Sequence, residues 1–292
     1  MTRRDAALLL VLGAVWGAVF PLASFVLEEL APVPVAVVRT GLSALLLIPL
    51  AARSGALWRA LRHRPGPLLT ASVLQMAVPV LLLTSGQAQV TAGVAGVLLG
   101  TQPVWAALLA TVLDRQLDRA TTWGVLVGAA GTVALFWNDL HGPSTLLGGT
   151  QLVAAAACYA AGALYIQRAM PDVPPLVVAA TVCSVSCLLL APALAFTPLQ
   201  VPSGAVGVWL IVLGTVATGG ALVLFYTLVD RIGAVRANLA AYLAPGFAVL
   251  YDIPLGHQPT PSTLTGLALI LTASALATHP SPRTTTATAE HG

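Results

Sequence analysis

The spacing of charged residues constrains this chain more than any other feature. Asp, Glu, Lys and Arg are absent from 6–27, 40–52, 65–113, 120–138, 140–167, 173–229, 237–251 and 253–282. A helix needs roughly 20 mostly apolar residues to cross the hydrocarbon core of a bilayer. Only 8% of the residues are charged, whereas soluble proteins carry about 25%. The pattern therefore predicts an integral membrane protein, and the two longest stretches each have room for two crossings.

Ten apolar segments have the length of membrane-spanning helices. To within a few residues at each end they are 6–27, 34–52, 67–86, 91–113, 120–137, 147–168, 174–196, 205–228, 234–255 and 262–278. Short links rich in turn residues join them. Their continuous apolar character excludes a closed β-barrel, in which apolar and polar residues alternate. The predicted fold class is an all-α integral membrane protein with ten transmembrane helices.

The arginines assign each predicted loop to one side of the membrane. Cytoplasmic loops of membrane proteins are enriched in Lys and Arg, so we place the N- and C-termini in the cytoplasm. The inner loops and tails then hold all but one of the 13 cationic residues, namely Arg3, Arg4, Arg53, Arg59, Arg62, Arg64, Arg115, Arg119, Arg168, Arg231, Arg236 and Arg283. Because these arginines lie in short loops rather than on one face, the net charge of +3 does not predict nucleic-acid binding.

The two halves of the chain match each other in sequence. An offset of 143 pairs Trp16 with Tyr159, Pro32 with Pro175, Ser43 with Ser186 and Pro49 with Pro192, and an offset of 142 pairs Pro103 with Pro245, Trp105 with Phe247 and Gly124 with Gly266. We therefore predict one repeat over 1–140 (helices 1–5), a second over 141–279 (helices 6–10), and a disordered cytoplasmic tail over 280–292. Five spans in each half give the two repeats opposite orientations in the membrane.

A set of residues in fixed order extends over roughly 6–278. It comprises Val15-Trp16-Gly17 and Phe20 in the first span, Pro34, Arg39 and Pro49 in the second, Pro103 and Pro245 in the fourth and ninth, and Gly266-Leu267-Ala268-Leu269-Ile270-Leu271 in the last. This order resembles the EamA-type family of the drug/metabolite transporter superfamily. Asp114-Arg115 and Gly256-His257 stand where that family usually has Gly-Glu, so no role of those glutamates is carried over.

The resemblance implies an inverted-repeat carrier in a bacterial cytoplasmic membrane that moves small metabolites or drugs, often outward. Inverted repeats place the solute site near the midplane, between the halves. We therefore expect a secondary transporter, an exporter or exchanger, that works by alternating access and is driven by proton coupling or exchange. The first alternative is a membrane scaffold or accessory subunit that transports nothing, and the second is an intramembrane enzyme.

Motifs for other chemistry are missing from the sequence. It contains no G-x-x-x-x-G-K-[ST] for nucleotide binding and no H-E-x-x-H, nucleophile elbow or carboxylate cluster. An intramembrane hydrolase needs a catalytic pair or a metal set. We therefore expect neither an enzyme nor a bound metal or cofactor. The expected partners are a small-molecule solute and the lipid bilayer.

Polar side chains inside apolar spans are the candidates for the solute cavity. Such groups face the protein interior, where they line a cavity or hydrogen-bond between helices, and the sequence leaves both roles open for each. The candidates are Trp16, Arg39, Gln75, Gln102, Tyr159, Tyr226, Asn238 and Tyr242.

Arg39 and Asp252 are charged residues within predicted spans, and Asp252 is the one acidic residue among them. Arg39 is either a structurally paired or snorkelling residue or a cation that holds an anionic or zwitterionic solute. Asp252 is either an ordinary interfacial residue or a coupling group that pairs with Arg39 or exchanges a proton. The two lie at comparable depth in the predicted topology.

Prolines and glycines predict where helices bend and where they touch. Pro103 and Pro245 fall inside predicted helices, where the missing N–H weakens the helix, so each marks a fixed kink or a bend that moves during transport. The small-residue faces Gly96-x-x-x-Gly100 and Gly124-x-x-x-Gly128 favour close helix packing within one protomer, with a homodimer as the alternative.

Overall fold

The computed structural model describes residues 2–90, 92–114 and 145–252, together with positions 123, 126, 127, 130, 265, 268, 269 and 272. Every element of regular structure within these residues is helical. The predicted spans 120–137 and 262–278 fall almost entirely outside the described residues, and the boundary at 140 and the tail over 280–292 fall wholly outside them. The all-α prediction is confirmed for the described part of the chain.

Eleven helices of this part are numbered here in chain order. They are α1 (Arg3–Leu27), α2 (Pro32–Ala52), α3 (Ala56–His63), α4 (Pro65–Gln87), α5 (Ala92–Leu99), α6 (Gln102–Asp114), α7 (Thr145–Ala169), α8 (Pro175–Phe196), α9 (Gly204–Ile232), α10 (Ala234–Ala237) and α11 (Ala240–Asp252). Six of them, namely α1, α2, α4, α7, α8 and α9, are long and apolar enough to cross a membrane.

Two predicted spans are interrupted rather than continuous. The span predicted over 91–113 consists of α5 and α6, with a break at Gly100 and Thr101. The span predicted over 234–255 consists of α10 and α11, with a break at Asn238 and Leu239. Pro103 was predicted inside a helix, but it is the second residue of α6, a position that needs no backbone N–H. Both breaks lie in corresponding helices of the two halves.

Two π-helical turns interrupt the long helices α4 and α9. The turn in α4 covers Val73–Ala77, and the turn in α9 covers Thr215–Gly220. Gln75 in the first turn and Thr218 in the second are 143 residues apart, which is the offset of the sequence repeat. Single π turns within α-helices occur frequently at functional sites. The two π turns occupy equivalent positions in the two halves, and they are therefore candidates for a functional site.

Local sequence signals explain how several helices begin. Thr2 caps α1, because its hydroxyl accepts a hydrogen bond from the Asp5 N–H while the Asp5 carboxylate accepts from the Thr2 N–H. α2 begins at Pro32 and α4 at Pro65, both at the favoured first helical position. The short helix α3 was not predicted. It follows Gly55, whose φ of 63° favours glycine.

The first helix of each half packs on the other half. α1 contacts mainly α11 and α9, whereas α7 contacts mainly α4, α5 and α6. α2 and α8, which correspond in the repeat, pack against each other. Ser43 in α2 donates to the Gly214 carbonyl of α9, and its repeat partner Ser186 in α8 donates to the Ser72 carbonyl of α4. The two halves are thus interleaved around a pseudo-two-fold axis.

Two glycines allow α1 to approach α11 closely. A Cβ added to Gly13 would lie 2.6 Å from the Leu243 Cβ, and one added to Gly17 would lie 2.7 Å from the Ala244 carbonyl oxygen. By contrast, a Cβ on Gly96 would meet the Phe20 ring at an ordinary 3.5 Å. Among the described residues Gly96 makes an ordinary contact, and the close approach occurs at Gly13 and Gly17. Gly124 and Gly128 lie outside the described residues.

Different polar contacts close the two ends of the bundle. At one end, here called the Asp5 end, the Arg231 Nε of α9 lies 2.7 Å from the Asp5 Oδ1 of α1, and the Arg64 side chain lies 3.4 Å from that of Asp172. At the opposite end, here called the Glu29 end, the Ser203 N–H and hydroxyl donate to the Glu29 carboxylate at 2.7 and 2.8 Å.

Candidate functional site

A cavity lies between the two halves, from the middle of the bundle toward the Glu29 end. On α1 its lining begins at Trp16 and continues to Phe20, and on α4 it runs from Gln75 to Leu83. Together with the open space at its mouth, the cavity holds about 630 Å³ of unfilled space. Most of the lining is apolar or aromatic, and none of the described lining residues is acidic.

Repeat-related residues face each other across this cavity. Four pairs line it, namely Trp16 with Tyr159 and Gln75 with Thr218 at the offset of 143, and Leu99 with Ala241 and Gln102 with Ala244 at the offset of 142. Both π turns contribute to the lining, because Gln75 and Thr218 belong to them. The cavity therefore lies on the pseudo-two-fold axis, where inverted-repeat transporters bind their solutes.

Five of the eight predicted cavity residues line this space: Trp16, Arg39, Gln75, Gln102 and Tyr159. The other three, Tyr226, Asn238 and Tyr242, are buried but are not among its lining residues. Asn238 accepts a hydrogen bond from the Gln102 side chain and donates one to the Ala234 carbonyl. Its role in the structure is therefore to join the break before α11 to the start of α6.

Arg39 is the cation of the cavity, and its guanidinium is only partly satisfied. Its side chain is buried, with the residue 4% exposed. The Nε and Nη2 atoms both donate to the Thr218 hydroxyl oxygen, at 3.1 and 2.9 Å. Nη1 is also buried and has no hydrogen-bond partner among the described residues. A buried charge is costly unless paired and hydrogen-bonded, so Nη1 favours an anionic or strongly accepting group in the cavity.

Thr218 is a site residue that the sequence analysis missed. Its hydroxyl donates to the Leu213 carbonyl five residues earlier, at 2.7 Å, within the π turn of α9. This bond occupies the hydroxyl hydrogen, so the oxygen lone pairs are free to accept from Arg39. Ordinary spanning threonines such as Thr84 and Thr181 donate to the carbonyl four residues earlier. The π turn thus gives Thr218 its orientation toward Arg39.

Gln75 provides the complementary acceptor. Its residue is 1% exposed, and its Oε1 has no hydrogen-bond partner among the described residues. α7 passes close to this turn at Gly162, where an added Cβ would lie 2.5 Å from the Gln75 Oε1 and 3.1 Å from both the Cα and the Cβ of Gln75. Gly162 therefore makes room for the π turn of α4. Two residues that line the cavity thus carry unpaired polar atoms among the described residues, a cationic donor on Arg39 and an amide acceptor on Gln75.

Asp252, the predicted coupling residue, is the last residue of α11, and its side chain lies outside the described part of the structure. Pairing of Asp252 with Arg39 therefore stays a prediction. The sequence departs from the usual Gly-Glu of the family at two places. The residues there that lie outside the described part of the structure are Arg115, Gly256 and His257.

Comparison with known families agrees with the two-repeat architecture. The sequence profile of the EamA-like transporter family matches residues 5–137 and 146–278. The chain belongs to the EamA-like transporter family. The match confirms the resemblance noted from the sequence, and it shows that this EamA protein is a multi-pass membrane protein with one family repeat in each half.

Comparison with solved structures agrees with the fold of this EamA protein. One protein crystal structure is similar over 95% of this chain and 97% of the other, with a TM-score of 0.74 and 21% sequence identity. At that identity the similarity supports the fold alone. No curated protein sequence matches the chain.

Proposed function

We propose that this EamA protein is a ten-helix secondary transporter that moves a small organic solute with an anionic group by alternating access. The observation that carries this proposal is the free Nη1 of Arg39 in a cavity between the repeats. Family membership supplies the transporter class, and the side chains of the cavity supply the solute chemistry.

The solute chemistry follows from what the cavity leaves unpaired. A carboxylate or similar anion accepts from the Arg39 Nη1, and charge-assisted hydrogen bonds of this kind are the strong ones in proteins. A donor group elsewhere on the solute bonds to the free Oε1 of Gln75. The rings of Trp16, Phe20 and Tyr159 surround the remaining, apolar part of the solute. A small amphipathic monoanion or zwitterion fits these groups best.

We further propose that the Asp5 end faces the cytoplasm of a bacterium. Arg64 and Arg231 both make their contacts at this end, and cytoplasmic loops are enriched in arginine. The ten-span topology places the N- and C-termini on the same side. The solute cavity, which extends toward the Glu29 end, is then reached from outside the cell.

The principal alternative is a membrane scaffold or accessory subunit that transports nothing. A scaffold needs a dry and filled interface between its halves, because buried polar groups without partners are costly. Here the described interface contains a cavity, a buried cation with a free donor and a buried amide with a free acceptor. These features support transport over a purely structural role.

Transport by purified protein in lipid vesicles tests the proposal. Uptake and efflux of a metabolite panel would be measured with and without a pH gradient, comparing carboxylates with their neutral amide analogues. We expect at least one small carboxylate or zwitterion to be transported, while its amide analogue is transported far more slowly. Acceleration by an imposed pH gradient would support proton coupling, and acceleration by solute on the opposite side would support exchange.

Failure of the correctly folded protein to bind or move any member of a broad anion panel would refute the proposal. The scaffold alternative would then be favoured.

A further inference from the structure

A second cavity lies at the Asp5 end of the bundle. It is lined by the last turn of α7, the link from α7 to α8, the first turn of α8 and the last two turns of α9, including Val173, Tyr226 and the acidic residue Asp230. It and its mouth hold about 660 Å³ of unfilled space. Of the predicted cavity residues, Tyr226 lines this second cavity.

Tyr226 gives this second cavity a buried polar group. The residue is 2% exposed, and its hydroxyl has no hydrogen-bond partner among the described residues. A buried tyrosine hydroxyl usually finds a partner. An unpartnered hydroxyl beside a cavity is therefore available to a molecule that enters it.

Three aromatic rings in contact connect the lining of one cavity with that of the other. Trp16 lines the first cavity, and Tyr226 lines the second. Phe225, whose residue is 0% exposed, lies in contact with both rings. Its ring centroid is 5.3 Å from that of Trp16 and 5.6 Å from that of Tyr226. These three rings, here called the aromatic partition, form a continuous row of ring contacts from one cavity to the other.

The aromatic partition joins two helices that are held together at the Asp5 end. Trp16 belongs to α1, whereas Phe225 and Tyr226 belong to α9. The Asp5–Arg231 ion pair joins the same two helices, with Arg231 five residues beyond Tyr226 on α9. The Trp16–Phe225 contact is the ring contact that joins α1 to α9. If the ion pair broke and α1 moved away from α9, the Trp16 and Phe225 rings would therefore separate.

We propose that the two cavities are the ends of one permeation route, with the aromatic partition as its gate and the second cavity as a binding site that the solute occupies between Arg39 and the Asp5 end. This inference rests on the proposed transport function. In the second site the Tyr226 hydroxyl donates to the solute, while Asp230, which also lines this cavity, repels an anion, so that binding there is weaker than at Arg39. The described conformation has the gate closed, with Arg39 on the Glu29 side of the partition.

Thiol accessibility tests the gate without any solute. In a background with Cys158, Cys183 and Cys187 replaced by alanine, Leu99→Cys reports on the first cavity and Val173→Cys on the second. A membrane-impermeant thiol reagent is added to oriented vesicles from either side. We expect Leu99→Cys to react only from the Glu29 side and Val173→Cys only from the Asp5 side.

Phe225→Ala should open the gate. We expect it to raise the rate at which Leu99→Cys reacts from the Asp5 side by at least tenfold. Phe247→Ala is the matched control, because Phe247 also stacks on a tyrosine, Tyr251, but is not among the residues lining either cavity. This control should leave the rate unchanged. Phe225→Leu, which keeps most of the volume, serves if Phe225→Ala does not fold, with an expected increase of severalfold.

The gate is refuted if a folded Phe225 variant leaves Leu99→Cys unreactive from the Asp5 side. Anion binding at Arg39 is measured separately, so such a result would leave the proposed transport function standing. Tyr226→Phe tests the second site, and we expect severalfold slower efflux with unchanged affinity measured from the Glu29 side. Unchanged efflux in Tyr226→Phe would remove the second binding site from the proposal.

Discussion

Replacing Arg39 by methionine separates the role of its charge from that of its packing. The long unbranched side chain of methionine fills much of the same space but provides no donor. The structure leaves one donor atom of Arg39, Nη1, free to bind solute. A hydrogen bond involving a charged group contributes about 1.5–3 kcal/mol. Each 1.4 kcal/mol is about a tenfold change, so Arg39→Met should weaken carboxylate binding roughly 10- to 150-fold.

The same substitution should leave the fold intact. Arg39 is buried with a single acceptor, the Thr218 hydroxyl, and replacing an incompletely paired buried charge by an apolar group is often neutral or stabilising. We therefore expect an unchanged or higher melting temperature in detergent. Loss of fold in Arg39→Met would indicate a structural role for the charge instead.

Calorimetric binding of a carboxylate and of its neutral amide analogue provides the assay. In the unmodified protein the carboxylate should bind more tightly, and in Arg39→Met the preference should disappear. Arg62→Met is the matched control, since Arg62 is exposed on α3. If Arg39→Met binds the carboxylate as tightly as the unmodified protein does, the assignment of Arg39 as the anion site is wrong.

Three further substitutions test packing, the π turn and the Asp5 end. The methyl group added in Gly17→Ala collides with α11, and this overpacking should destabilise the protein by about 1–3 kcal/mol, seen as a lower melting temperature. Gly207→Ala is the control, because its methyl group enters open space and should leave the melting temperature unchanged. Equal stability of the two variants would contradict the close contact at Gly17. Gly162→Ala displaces the π turn of α4 and should lower solute affinity severalfold in the same calorimetric assay, and unchanged affinity would argue against a role for that turn. Arg231→Gln leaves Asp5 without its cation, and a double-mutant cycle with Asp5→Asn should give a measurable favourable coupling. A coupling near zero would show that the pair does not hold this end closed.

The membrane-spanning character was predictable because the bilayer imposes a simple rule on length and charge. The described long helices lie close to the predicted spans; α2, predicted over 34–52, covers Pro32–Ala52. The short helix α3 escaped prediction because its eight residues lie in a polar, arginine-bearing link. Its buried residues, Leu57 and Ala60, are too few to give a clear periodic signal.

The helix breaks and π turns were less accessible from the sequence. Pro103 indicated a weak point in its span, but the chain breaks at Gly100 and Thr101, just before α6 begins. A π turn depends on how neighbouring helices pack. Gly162, for example, lies 87 residues after Gln75 in the chain yet makes room for its turn. Such long-range contacts leave no local pattern for a sequence analysis to detect.

The candidate site was predicted in part, and the misses have a common cause. Polarity within an apolar span selected Arg39, Gln75 and Gln102, which are buried in the structure. The same criterion could not separate cavity residues from packing residues, so it also selected Asn238, which bonds to Gln102. It passed over Thr218 because a spanning threonine ordinarily satisfies itself on its own helix.

The exchange of first helices has a consequence for how such a protein is assembled. Since α1 packs chiefly on the second half and α7 chiefly on the first, a fragment holding one half alone would leave its leading helix without the neighbours it needs. Separately synthesised halves should therefore be degraded when made singly and should complement each other when made together. The arrangement also resembles a domain-swapped dimer whose two subunits are joined in one polypeptide. The rigid bodies that move during transport therefore need not coincide with the two sequence repeats.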